Sequence, residues 1–374
     1  MRIVEFCVGR ARADSSNGVE LSVFRLSEAL ARDHDVMTIC LSSKPVVSIP
    51  GVRVVNVAPA GRLLPIPGDL IDTLEEWDPD VVHLNSVYSP ANTQLARILR
   101  RRSIPYVITP NGGYGEMNER HHRTAKILYR AMFERKMLDG AAFVHSVGDG
   151  ATISRLNVKA DIVETTKGLD VPDHEQDEDR DDAAERSSRR FVFGFVGRLD
   201  PLHKGLDLLI EALATDELTD SSVVLVGPTH ESGRSRLERL AGQRGVADRV
   251  VFAGEKVGPD KTRAISSFDV FVHVSRWEGG IPYAVLEAAA QAKPLLLTRY
   301  ADPGGELNRV GAGLIVEPDV GSVRRGMISM SSMSGELLEQ MGQSGRRHVL
   351  ANFGWQTMSD QLVSAMQEID TVAG

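Results

Sequence analysis

The sequence has few cysteines, no long apolar run and no surplus of basic residues, and each lack removes a class of protein. Cysteine occurs twice, at Cys7 and Cys40, inside apolar segments that read as strands. Such a pair is expected as buried free thiols of a reducing compartment, not as a disulfide or a metal site. No apolar run reaches the roughly 18 residues that a membrane span needs. The opening "MRIVEFCVGRARAD" reads as a strand and a polar loop, without the apolar core of a signal peptide. The expectation is a cytoplasmic protein, and an exported solute-binding protein does not fit. The formal net charge of −8 argues against a nucleic-acid partner, because such proteins carry a basic surplus. Neither G-x-x-x-x-G-K-[ST] nor G-x-G-x-x-G can be written in the chain, so a Walker loop and a dehydrogenase fingerprint are both missing.

What is present is alternation. The 374 residues, 42% of them hydrophobic, suit two domains of roughly 150 residues. In the first half, strand-like runs at 2–8, 35–41, 53–57, 80–84, 105–109, 141–146 and 162–166 are interleaved with helical patterns, such as 18–33 and 89–102. The pattern restarts at 191–197, 221–227, 249–254, 269–275 and 294–298. Near-continuous apolar strands alternating with helices predict parallel sheets covered on both faces. Between the halves, 173–190 holds eight acidic and four basic residues and nothing apolar larger than alanine, the composition of a solvated tether. The fold class is therefore α/β, with two Rossmann-like domains, 1–172 and 191–353, facing each other across a cleft. Ligands are expected at the carboxyl ends of the strands. The tail 353–369 is amphipathic, with Trp355, Met358, Leu362 and Met366 on one face.

The candidate chemistry gathers in the second half. In "FGFVGRLDPLHKGLDLLIEAL", Arg198 follows a strand, and Lys204 and Gly205 stand at the mouth of a helix. Two cations beside a helix start suit a phosphate or pyrophosphate, although such charges are also common on plain surfaces. In "VSRWEGGIPYAVLEAAAQAKPLLLT", Glu278 and Glu287 bracket a turn with two glycines. Glu287, read at the start of the helix, can accept from the vicinal hydroxyls of a ribose, or can simply favour the helix dipole. Glu278 and the Gly279–Gly280–Ile281 backbone can meet further hydroxyls, since glycine leaves the main chain open. Pyrophosphate, ribose and sugar together outline a nucleotide-sugar.

These runs, with "DPDVVHLNS", "IPYVITPNGG" and the loop Ser15–Ser16–Asn17–Gly18, resemble a retaining glycosyltransferase of family 4, with the GT-B fold. The similarity spans nearly the whole chain. It implies that Arg198 and Lys204 hold the donor pyrophosphate and stabilise its growing charge. It further implies that Glu287 binds ribose, that Glu278 with Gly279, Gly280, Ile281 and Val285 contacts the donor, and that the Gly18 backbone closes on the phosphates. The helix at about 354–374 would cross back to the first domain. The implied reaction is a metal-independent, front-face transfer with retention, with no cofactor beyond the nucleotide-diphosphate-sugar co-substrate. Two departures stand out. Eight residues separate Glu278 from Glu287, one more than the family's usual spacing. Asn111 stands where many relatives carry a histidine, and an asparagine cannot act as a base.

Acceptor-side candidates are Asn85, Ser86, Tyr88, Asn111, Gly112, Gly113 and Tyr114, in the loops after two first-half strands. The acceptor is expected to be a carbohydrate or lipid-linked hydroxyl. Basic residues beside apolar ones at 95–102 and 118–136 allow peripheral contact with anionic lipid at the inner face of a membrane. The plainer expectation is a solvated basic face over a buried apolar stripe. His83, His145 and His273 read as satisfied core histidines, and "DPD" at 78–80 as a turn rather than a metal site. Two alternatives remain, an epimerase or phosphorylase on the same architecture and a nucleotide-sugar sensor without turnover.

Overall fold

The computed structural model describes residues 1–13, 18–45, 47–61, 65–114, 123–148, 150–170 and 190–369. The Ser15–Asn17 loop and nearly all of the acidic segment 173–190 lie outside them, with Gly18 and Arg190 at their edges. The chain separates into two compact units, Met1–Gly168 with Phe353–Gly374, and Leu169–Asn352.

The first unit is built on seven strands: β1 (Arg2–Cys7), β2 (Asp35–Leu41), β3 (Arg53–Val57), β4 (Val81–Asn85), β5 (Tyr106–Thr109), β6 (Phe143–Ser146) and β7 (Asp161–Glu164). They pair in parallel in the order β3-β2-β1-β4-β5-β6-β7. The second unit repeats the arrangement with β8 (Phe191–Val196), β9 (Ser221–Val226), β10 (Val250–Gly254), β11 (Val270–His273), β12 (Leu295–Thr298) and β13 (Gly313–Val316). Its order is β10-β9-β8-β11-β12-β13, again parallel. Both sheets are thus doubly wound, and strand order reverses between β1 and β4 and between β8 and β11. Those two switch points are where such sheets bind ligands.

Residue choice accounts for the elements. The central strands are apolar almost throughout because both faces are covered. Ile3, Val4 and Phe6 on β1, and Phe193 and Phe195 on β8, are fully buried. Gly194 breaks the β8 run because a Cβ there would lie 2.0 Å from the Phe268 ring. The helix Pro90–Arg101 starts cleanly, with Pro90 in its first turn and the Ser89 hydroxyl accepting from the Asn92 N–H. Helix Leu206–Leu213 buries Leu206, Leu208, Leu209, Ile210 and Leu213, each contributing roughly 1.5–3 kcal/mol. The tail forms the helix Trp355–Gln367, which packs Met358, Leu362 and Met366 against Ile3, Leu26 and Leu30 of the first unit.

One expectation is reversed. The segment at 118–136 is described from residue 123 and forms the helix Arg123–Tyr129, a π-helical turn Arg130–Glu134 and a last turn Arg135–Leu138. Four of its apolar residues face outward: Ile127, Leu128, Met132 and Phe133 are 44%, 57%, 49% and 51% exposed, while Met137 and Leu138 in the last turn are buried. Glu134 is also turned inward, where it accepts from the Tyr88 N–H and, at 3.1 Å, from the Tyr114 hydroxyl.

Candidate active site

The loops after β8 and β11 converge on one carboxylate. Glu278 Oε1 lies 2.6 Å from Lys204 Nζ, 2.9 Å from His273 Nε2 and 3.8 Å from His203 Nε2. Lys204 is carried to this point by the turn before helix Leu206–Leu213. Gly205 caps that helix at φ 66°, and a Cβ there would meet the Val274 carbonyl oxygen at 2.1 Å. Only glycine lets the two loops touch. Arg276 fastens them further, with both guanidinium nitrogens 2.8 Å from the Asp207 carboxylate and one also on the Leu202 carbonyl.

Burial alone would raise the Glu278 carboxyl. The His273 hydrogen bond and the Lys204 ammonium outweigh it and hold the group down at about 2. Burial keeps His273 itself below the ordinary imidazole range, against the pull of Glu278. The neutral ring donates Nε2–H, and Lys204 supplies the charge. His203 is pushed down to about 4 by burial and by Lys204. Its Nε2 faces the Trp277 carbonyl at 3.1 Å, and its ring stacks on the Trp277 indole at 4.9 Å. The other nitrogens of both rings, His203 Nδ1 and His273 Nδ1, and the Ser275 hydroxyl are buried without a hydrogen-bond partner among the described residues. The centre therefore holds a fixed carboxylate, a fixed cation and buried polar atoms with capacity to spare.

The other second-half candidates lie in the same two loops and in the helix that follows β11. Arg198 is exposed in the loop after β8. Gly279 is open, with nothing within 4 Å of a Cβ, and Gly280 takes φ 127°, a conformation that favours glycine. Ile281 is nearly buried and Val285 fully so. Glu287 needs correction. It is the fifth residue of the helix Tyr283–Ala290, not its start, so the helix dipole does not account for it. Its carboxylate meets Lys261 Nζ at 2.6 Å, in the helix Gly258–Ser266.

In the first unit the residues expected on the acceptor side lie at the carboxyl ends of β4 and β5. Asn85 is buried, donates to Glu5 Oε2 at 2.9 Å and accepts from Asn111 Nδ2 at 3.4 Å. Tyr88, Asn111 and Gly112 take φ values of 56°, 52° and 71°. Strain of this kind in non-glycine residues gathers at functional sites. Gly18 is exposed as the first residue of the helix Gly18–Leu30. His83 and His145 are satisfied at both nitrogens, as expected of core histidines, but His273 is not. "DPD" is a turn: Asp78 closes the helix Gly68–Trp77 in the left-handed region, and Asp80 accepts from the Arg2 N–H. Among the described residues no group of His, Cys, Asp and Glu is placed to hold a metal ion.

Sequence reasoning took His273 for a satisfied core histidine and passed over Lys261 and Glu5. His273 sits in an apolar run, and only its place as the last residue of β11, five positions before Glu278, marked it.

The chain matches two family models in succession, "Glycosyl transferase 4-like domain" over 17–161 and "Glycosyl transferases group 1" over 176–348. The chain belongs with the GT-B glycosyltransferases. It is 30% identical over 210 residues to a GDP-mannose-dependent monoacylated α-(1-6)-phosphatidylinositol monomannoside mannosyltransferase of Corynebacterium glutamicum, covering 49% of this chain and 51% of that one. The chain spans about half the length of the curated relatives it matches. Among solved structures it superposes on a sucrose-phosphate synthase of Thermosynechococcus elongatus, with a TM-score of 0.71, 19% identity and 100% coverage of both chains. Anabaena HepE in complex with UDP gives a TM-score of 0.72 at 18% identity, covering 98% of this chain and 100% of that one. At such identities these likenesses speak for the fold.

Proposed function

We propose that this GT-B chain moves a sugar, with retention, from a nucleotide-diphosphate-sugar to a hydroxyl of a carbohydrate or lipid-linked acceptor, without a metal ion or other cofactor. The observation that carries the reading is the Lys204–Glu278–His273 cluster at the switch point of the second sheet, in a chain matching transferase models over both halves. The exposed Arg198 guanidinium and the Lys204 ammonium meet the donor diphosphate and offset part of its charge. As the bond from the anomeric carbon to phosphate oxygen breaks, its electron pair leaves on the diphosphate and the acceptor oxygen bonds to the same face. The acceptor proton passes to the departing phosphate. Fixed cations aimed at charge that develops in the transition state are worth most, because they need no reorganisation. Glu278, held ionised, takes the transferred sugar's hydroxyls as an acceptor-only group, and Glu287 takes the ribose diol beside its Lys261 pair.

A lipid-linked acceptor is favoured by the outward apolar residues Ile127, Leu128, Met132 and Phe133, which sit beside Lys126. A membrane surface satisfies such a face. The relative from Corynebacterium acts, by its name, on a phosphatidylinositol monomannoside.

The test is thermal-shift binding of UDP, GDP and ADP to the wild type and to Glu287→Ala. One nucleoside diphosphate is expected to stabilise the wild type and to lose that effect in the variant. If none of the three stabilises the protein, the donor reading fails.

A further inference from the structure

Inside the first sheet, five buried polar side chains form one unbroken hydrogen-bonded line. Glu5 on β1, His83 on β4, Thr109 on β5, His145 on β6 and Thr165, just past β7, are each 6% exposed or less. Glu5 Oε1 lies 2.8 Å from His83 Nδ1, and His83 Nε2 lies 2.5 Å from Thr109 Oγ1. Thr109 Oγ1 lies 2.7 Å from His145 Nδ1, and His145 Nε2 lies 2.7 Å from Thr165 Oγ1. The line follows the strand order of the sheet. A sheet needs no such line for stability, since replacing buried polar groups by apolar ones of similar shape is often neutral.

The proton count fixes the near end of the line. An ionised carboxylate only accepts, so His83 must donate Nδ1–H to it. Beyond His83 the protons can run either way through Thr109 and His145, because the Thr165 hydroxyl lies 2.7 Å from His145 Nε2 and can also donate to the Thr166 carbonyl at 3.2 Å. Burial holds the far ring, His145, down at about 3.

The second carboxylate oxygen points the other way. Glu5 Oε2 accepts from Asn85 Nδ2 at 2.9 Å, which turns the Asn85 amide nitrogen inward and its oxygen outward. That oxygen faces Asn111 Nδ2 at 3.4 Å, and the same nitrogen lies 3.3 Å from the Thr109 carbonyl. Asn111 is left with its Oδ1 unpartnered among the described residues. We propose that Glu5 is a positioning residue for acceptor recognition: it orders the amides of Asn85 and Asn111 so that Asn111 presents an oxygen to a non-reacting hydroxyl of the acceptor. Held through that hydroxyl, the acceptor is oriented while its reacting hydroxyl keeps its own proton for the departing phosphate. This inference rests on the transferase reading for the identity of the hydroxyl, but the line itself does not.

Two measurements on the full chain test it. Nitrogen-15 NMR of histidine-labelled wild type, assigned with His83→Gln and His145→Gln, reads the ring tautomers. His83 is expected to carry a proton on Nδ1, as an ionised Glu5 beside it requires. Finding His83 Nδ1 without a proton overturns the proposal. The second measurement is the kinetics of Glu5→Gln with octyl α-mannoside as acceptor probe. Its amide can accept from only one of His83 and Asn85. Acceptor kcat/KM should fall on the order of tenfold to a hundredfold, as for a misplaced reactant. The donor KM and the nucleoside-diphosphate thermal shift should stay unchanged. A folded variant with unaltered acceptor kinetics, or with donor and acceptor terms falling together, overturns the proposal. If the variant does not fold, the wild-type tautomers decide. If the wild type binds no nucleoside diphosphate and transfers no sugar, the transferase reading fails instead, and the tautomers still judge the line.

Discussion

At the scale of the residue, Lys204 has two tasks. It neutralises Glu278, and in the proposed mechanism it also meets the donor diphosphate. The two side chains are 13% and 11% exposed, so their contact is well shielded from water. Removing one partner of a buried pair costs about 3–5 kcal/mol, because the other charge stays behind. Lys204→Met should therefore destabilise the second unit by about that amount in urea titration, and lower kcat on the order of 10²–10³. A pH series reads the same pair from the other side. Glu278 titrates at about 2 when folded, against an ordinary 4.5. The folded state thus releases its proton more readily, and the stabilisation is complete above pH 4.5 and lost as pH falls towards 2. His203, lowered to about 4 from 6.5, adds a loss with the same sign that begins below 6.5, because the unfolded state takes up that proton first. The stability gap between wild type and Glu278→Gln should narrow steadily as pH is lowered from 4.5 to 3. A gap as wide at pH 3 as at pH 7 would refute the ionised, charge-held Glu278.

At the scale of the element, the site depends on how closely two loops approach. Gly205 sits at φ 66° with the Val274 carbonyl where a Cβ would go. Backbone, unlike a flexible side chain, cannot swing aside. Gly205→Ala should destabilise by more than the roughly 1 kcal/mol of left-handed strain alone. It should also weaken nucleoside-diphosphate binding by moving Lys204, which a thermal-shift titration would show. This approach was only half legible in the sequence. The strand–loop–helix pattern placed Lys204 and Gly205 at the helix mouth, since glycine and helical periodicity are local signals. That Lys204 turns to Glu278, 74 positions away, is set by the β8–β11 pairing, which periodicity does not encode. Strand β13 was missed for a related reason: "GLIV" opens on a glycine and is only half-buried along its length, so it lacks the continuous buried apolar run of its neighbours. Ile127, Leu128, Met132 and Phe133 were misjudged because they were taken to continue a stripe that points inward. Only Met137 and Leu138 of that stripe are buried, and Glu134, with Tyr88 and Tyr114 as partners, is buried beside them.

At the scale of the whole molecule, the chain ends in the unit where it began. Helix Trp355–Gln367 follows the second unit in sequence but belongs to the first. Its amphipathic pattern was plain from the sequence, whereas its partner could be named only by resemblance. Gly168 is the fitting point, since a Cβ there would lie 2.1 Å from the Trp355 ring. Gln361 accepts from the Thr166 N–H at 2.9 Å. The helix buries Met358, Leu362, Val363 and Met366, together worth roughly 6–12 kcal/mol before the cost of ordering the helix. That is comparable with the whole stability of a typical domain, about 5–15 kcal/mol. A chain ending at Asn352 should therefore lose the unfolding transition of the first unit and keep that of the second, whose sheet and helices end there. Hydrogen exchange resolves the two: amides of β1, β4 and β5 should exchange freely in the truncated chain while those of β8, β9 and β11 stay protected. Protection retained in β1 would mean that the first sheet stands without its last helix, and that the return of the chain serves something other than stability.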